Sequence, residues 1–145
     1  MAMPADPAPK GFKWPNGAKL ALSIVVNVEE GAERRIDEGD KRPEPVDELG
    51  AVPGKPIRIH GNESNYQYGI NRGAPRILKM LDKAGINATW TVCGQALQKA
   101  PWLAEAITAR GDEPCNHGHK WAFTAFMDED EETAFIKKGT DSIAE

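Results

Sequence analysis

Two short polar runs offer chemistry in this sequence. The first is Glu29-Glu30-Gly31, directly after an apolar stretch. Paired carboxylates divide labour when a turn brings both to one place: one takes a proton from water, the other binds a cation or orients a ligand. In extended backbone the two point to opposite faces, so joint action needs a turn after the strand. A plain acidic loop is the bland alternative. The second run is His117-Gly118-His119-Lys120-Trp121. Histidines two apart can share a cation, although a solvated or locally hydrogen-bonded imidazole is the commoner case. Gly118 permits close backbone approach or unusual dihedrals. Trp121 and Phe123 serve either as pocket wall or as core.

Other candidates are weaker. Cys115 precedes His117 by two residues, and an imidazole neighbour can generate a thiolate. A buried, inert thiol is nonetheless the commoner state for Cys93 and Cys115. Glu63, Tyr66 and Tyr68, in HGNESNYQYG, suit either substrate contact or a surface turn. The sequence has no phosphate-binding glycine loop, dinucleotide fingerprint, paired CxxC or G-x-S-x-G, so the simplest nucleotide, zinc-finger and serine-hydrolase readings fall away.

The elements that must hold these groups alternate between strand and helix. Residues Lys19 to Val28 (KLALSIVVNV) read as a strand buried on both faces. Residues 31–70 form a long loop region without clear periodicity, interrupted by Pro43, Pro45, Pro53 and Pro56. A stretch of that length is either a functional loop or a solvated insertion. In RGAPRILKMLDKAG, Pro75 suits a first helical turn, Ile77, Leu78, Leu81 and Ala84 make one stripe, and Gly85 closes the helix. Asn87 to Cys93 is a second buried strand. Gly94 to Ala100 forms a helical turn, and Pro101 starts a helix that Gly111 stops. Asp112 to Asn116 is a third strand. The tail runs from acidic to basic, as a helix dipole favours, with Phe135, Ile136 and Ile143 on its apolar face. This order predicts an α/β fold with a parallel sheet or barrel and right-handed crossovers. Such folds place their chemistry at the carboxyl ends of the strands, where both polar runs fall.

Composition narrows the classes. The chain has 145 residues, 40% hydrophobic and 28% charged, as expected of one globular domain. Its 18 Lys and Arg against 22 Asp and Glu leave a net charge of −4, which disfavours nucleic acid as a partner. The longest apolar run, Leu20 to Val26, falls well short of the roughly 20 residues that cross a bilayer, and the N-terminus carries no secretory apolar core. We expect a cytoplasmic protein with no membrane partner. Two cysteines make no disulfide framework and suit a reducing compartment. Four prolines before residue 16 predict an extended arm over residues 1–18.

Together, WPNGAKLALSIVVNVEEG, NESNYQYGINRGAPRILKMLDKAGINATWTVCGQAL and NHGHKW resemble the polysaccharide deacetylase (NodB-homology) superfamily, in its allantoinase-like and cyclic-imidase-like branch. The resemblance runs from about Trp14 to the last residue and covers the N-terminal half of the family domain. It implies the parallel-strand half of a deformed (β/α) barrel, read as one partial domain over residues 1–145. It also implies hydrolysis of C–N bonds in acetamido sugars or in small cyclic amides and ureides. On the matching positions, Glu29 takes the catalytic-base place and Glu30 a metal-ligand place. His117 takes the place of the first histidine ligand, and Trp121 stands where a second histidine is usual. His119 is a substitute ligand or a substrate contact. Glu63, Tyr68 and Arg72 match a loop-and-helix segment that contributes to the pocket in that branch. With Glu29 and His117 as the catalytic residues, the resemblance leaves open whether Glu30 and His117 hold a divalent metal such as zinc or form a hydrogen-bonding cradle without one. The tryptophan favours a small cyclic amide over a polysaccharide.

The family's later motifs, with a positioned arginine and a general-acid histidine, have no counterpart here. We therefore expect a hydrolase of a small cyclic amide, imide or ureide that is active when assembled with the other half of the barrel. A second polypeptide or a homo-oligomer would supply that half, the third alternative being that the sequence is a fragment of a longer chain. The competing expectations are a non-catalytic assembly or ligand-binding subunit, and a metal-dependent deacetylase of acetylated sugars.

Overall fold

The computed structural model describes residues 9–45 and 53–145. Residues 1–8 of the expected arm and residues 46–52 of the expected long loop lie outside the described residues. Strands β1 (Val25–Val28), β2 (Thr89–Val92) and β3 (Glu113–Asn116) form one parallel sheet in the order β1-β2-β3. Val28 is in register with Val92, and Val92 with Asn116. The strands therefore end level, and the next residues, Glu29, Cys93 and His117, emerge along one rim.

Helices fill the intervals: α1 (His60–Asn65), α2 (Ala74–Ala84), α3 (Gly94–Lys99), α4 (Pro101–Arg110) and α5 (Glu129–Ala144). Pro75 and Pro101 sit in first turns, where a missing N–H costs nothing. Gly85 and Gly111 end their helices in the left-handed conformation, at φ 64° and 66°. A capping box starts α5: Asp128 accepts from the Glu131 amide at 2.8 Å, and Glu131 accepts from the Asp128 amide at 3.1 Å. The core gathers between sheet and helices, with Trp90, Val92, Cys93, Ala96 and Leu103 fully buried and Leu81 and Ile107 beside them.

The element order agrees with the sequence reading, but several boundaries and faces differ. The strand expected from Lys19 forms only from Val25, and Leu20 and Leu22 stand 70% and 77% exposed. β1 lies at the sheet edge, and among its residues only Val28 is buried. All four residues of β3, the opposite edge, are exposed. Only β2, paired on both sides, is the buried strand that its composition suggested. The expected long loop contains a 3-10 turn (Ile36–Glu38) and α1. On α5, Ile136 faces outward at 53% exposure, while Phe135 and Ile143 are half-buried.

At the amino ends of the strands, Asp112 anchors the sheet. Its carboxylate accepts hydrogen bonds from Trp90 Nε1 (2.9 Å), the Ala88 amide (3.1 Å), Asn87 Nδ2 (3.0 Å) and Arg110 Nε (2.8 Å). A buried carboxylate with this many donors is stable as an anion.

Candidate active site

A tight turn follows β1. The Ala32 amide donates to the Glu29 carbonyl at 2.9 Å, leaving Glu30 and Gly31 as its central residues. Gly31 has φ 106°, a conformation L side chains rarely adopt, and a Cβ there would stand 3.2 Å from the Ala96 backbone. The turn is pinned from several sides. The Gly31 carbonyl accepts from Gln95 Nε2 (2.9 Å) and Lys99 Nζ (2.6 Å), and its amide donates to Glu33 Oε2 (2.5 Å).

This turn separates the two carboxylates. Glu29 Oε1 lies 3.1 Å from His117 Nε2, placed for an imidazole N–H to donate to the carboxylate. Both groups keep solvent access, with side chains 31% and 44% exposed respectively. Glu30 turns instead toward Gly69 and Ile70. Its Oε2 is enclosed and has no hydrogen-bond partner among the described residues. Burial raises the Glu30 carboxyl above the usual carboxylate range; the Gly69 and Ile70 amides offset this only in part, and the Glu33 charge adds to the rise.

His117 is held by its neighbours. Its amide donates to the Val92 carbonyl at 3.0 Å. Asn116 Oδ1 accepts from the Gly118 amide (2.8 Å), while Asn116 Nδ2 donates to Thr140 Oγ1 on α5 (3.1 Å). Cys93 Sγ donates to the His117 carbonyl at 3.4 Å. Burial, with a smaller push from the Glu29 charge, lifts the Cys93 thiol to about 11, so it stays protonated and inert.

Glu29 and His117 share a cavity of about 780 Å³ with Trp121, Arg34, Phe123 and Phe135. Trp121 meets Tyr66 edge-on at 5.6 Å between ring centroids. Arg34 makes a bidentate pair with Glu44 (2.9 and 3.0 Å) and lies 5.5 Å over the Phe123 ring.

The structure thus brings together Glu29, His117 and Trp121 among the expected site residues. It does not bring the others to this cavity. His119 is buried with Nδ1 3.1 Å from Ser142 Oγ on α5. Glu63 is taken up by Arg58 at 2.6 Å and Arg35 at 3.7 Å, which hold its carboxyl below the usual range, Arg58 above all. Tyr68 is 56% exposed and accepts from Arg76 at 3.1 Å. Arg72 lies exposed on the π-turn Gly69–Gly73.

The donor set does not fit the divalent metal of Glu30 and His117 that the resemblance implies. Glu30 lines a neighbouring cavity rather than that of His117, and the Trp121 indole has only an N–H to offer. Among the described residues no group of three or more His, Cys, Asp and Glu is gathered as a metal site. Arg34, Asn116 and Phe135 escaped the sequence reading. Arg34 and Asn116 are single polar residues in runs of polar residues, and Phe135 was assigned only to a helix face.

Comparison with known proteins places the chain in a family. The profile of the Polysaccharide deacetylase family matches residues 64–145, more than half the chain. The chain belongs to the polysaccharide deacetylase family. A Schizosaccharomyces pombe protein named "Putative polysaccharide deacetylase" is 35% identical over 90% of this chain and 42% of its own. The crystal structure of a probable polysaccharide deacetylase from Pseudomonas aeruginosa PAO1 superposes with TM-score 0.82 at 34% identity, over 90% of this chain and 44% of that one. That of Puue allantoinase gives TM-score 0.81 at 36% identity, over 91% and 46%. The chain spans less than half the length of each of these three relatives. Among the described residues no helix is long and apolar enough to cross a membrane.

Proposed function

We propose that this chain supplies the water-activating part of an active site that hydrolyses a C–N bond of a small cyclic amide, imide or ureide. The Glu29–His117 pair, 3.1 Å apart at the carboxyl rim of a parallel sheet, carries the reading. Amide hydrolysis needs an activated water, a stabilised oxyanion and a proton for the leaving nitrogen. His117 holds one oxygen of Glu29 and leaves Oε2 to accept a proton from water. The hydroxide adds to the carbonyl carbon, and the C–N bond breaks as the nitrogen takes up a proton. Trp121 and Phe123 wall a cavity suited to a planar ring. The likeness to an allantoinase supports a ureide or related ring as substrate. The two free thiols suit a reducing compartment such as the cytoplasm.

The proton donor and the rest of the pocket come from the segment that the relatives carry beyond the matched stretch, in the same polypeptide or in a second one. Self-association is the other assembly route. A panel of allantoin, hydantoins, succinimide and acetylated sugars, assayed on the assembled protein, tests the proposal. We expect turnover of a cyclic amide and a loss of about 10²–10⁴-fold in Glu29→Gln with folding intact; unchanged turnover removes Glu29 from the mechanism. The S. pombe relative's name favours a second reading, deacetylation of a sugar, and acetate release in the same panel would select it. A panel without turnover leaves a ligand-binding subunit.

A further inference from the structure

We propose that Gly69, at the start of the π-turn, and Glu30 form a positioning device that aims Glu29 at His117. The role rests on reading Glu29 as the base. π-turns are rare and concentrate at functional sites, and this one lies directly against the acidic doublet. The carboxyl of Glu30 occupies the space a side chain at position 69 would need. A Cβ there would overlap Oε2 and Cδ of Glu30 and stand 3.0 Å from Oε1. Gly69 is not at positive φ, so its lack of a side chain matters for this contact rather than for its dihedrals. An enclosed carboxyl oxygen without a hydrogen-bond partner is costly. The π-turn holds Glu30 by this close fit, with the Gly69 and Ile70 amides beside its carboxyl. Glu30 is a central residue of the 29–32 turn, so fixing its side chain fixes how the turn leaves β1, and with it the direction of Glu29. Glu30 acts as a wedge and Gly69 as its socket, neither touching the substrate.

The test reads the Glu29–His117 contact without relying on turnover. The chain has three histidines, His60, His117 and His119, so the ring signals of His117 can be followed by NMR in histidine-labelled protein. Glu29→Ala sets the signature of a broken pair. We expect Glu30→Ala and Gly69→Ala to move the His117 signals toward that signature, and Glu30→Gln, which keeps the wedge, to leave them in place. The double variant should move them no further than the larger single change, because both substitutions act on one contact. In the assembled enzyme Glu30→Ala should lower kcat on the order of 10²-fold with KM little changed. Should Gly69→Ala fail to fold, Glu30→Ala decides alone, since it removes atoms rather than adding them. His117 signals that respond to Glu29→Ala but not to Glu30→Ala overturn the device while sparing the base. Signals indifferent to Glu29→Ala overturn the pair itself.

Discussion

Asp112, His119 and Glu30 are enclosed ionisable groups that respond differently to acid. Burial alone would raise the Asp112 carboxyl, but Arg110, Trp90 and the Ala88 amide outweigh it and hold it below its ordinary 3.8. The folded state then binds fewer protons than the unfolded one, so this stability is complete above 3.8 and is lost as pH falls through the lowered folded value. Asp112→Ala strands the Arg110 and Trp90 donors and should cost about 3 kcal/mol in urea unfolding at neutral pH. His119 is lowered from 6.5 by burial, then by Lys138 and Lys120. Its neutral form stabilises the fold above 6.5, and that contribution declines as pH drops below. His119→Gln should flatten the decline in a thermal-unfolding series from pH 7 to 5. Glu30 runs the other way. Its folded pKa is raised from 4.5, chiefly by burial, so its contribution is present below 4.5 and lost as pH rises through the folded value. Glu30→Gln should therefore raise the thermal midpoint at pH 7, and an unchanged or lower midpoint would contradict a strained charge there.

At the scale of elements, α5 buttresses the histidine loop. Gly139 meets that loop so closely that a Cβ would stand 2.7 Å from Asn116 Oδ1 and 3.0 Å from the Gly118 carbonyl carbon. Gly139→Ala should push α5 away and cost about 1–3 kcal/mol; Asp128→Ala, which removes the capping box, should cost about 1 kcal/mol. Denaturant midpoints of both variants check these values. Local rules made α2, α4 and α5 legible beforehand: Pro75 and Gly85, Pro101 and Gly111, and the acidic start at Asp128 all mark real ends. The alternation of strands and helices and the rim position of Glu29 and His117 were legible for the same reason. Periodicity could not show that β1 and β3 are edge strands, because an apolar run reads alike whether or not a neighbour covers it. Nor could it show that the turn at Gly31 parts Glu29 from Glu30, or that Arg58 engages Glu63, since long-range packing decides both.

At the scale of the molecule, the sheet of the described residues is open at both edges. Both outer strands expose residues, and Phe123, Phe126 and Ile136 stand uncovered near the cavity. Under the proposed assembly this apolar surface is where a further segment would pack. Cys115, exposed on β3, reports on that sheet edge, while Cys93 is buried. We expect a thiol reagent to modify Cys115 rapidly and Cys93 only on unfolding. If the rest of the barrel pairs with β3, Cys115 labelling should slow sharply when that segment is present, and an unaltered rate would argue against pairing at this edge. The Asp112 anchor and the Glu29–His117 pair sit at opposite ends of the same strands. Loops on the carboxyl rim can accordingly exchange length and residue type while the far end keeps the strands in step, so this scaffold is suited to acquiring new ligands through rim substitutions alone.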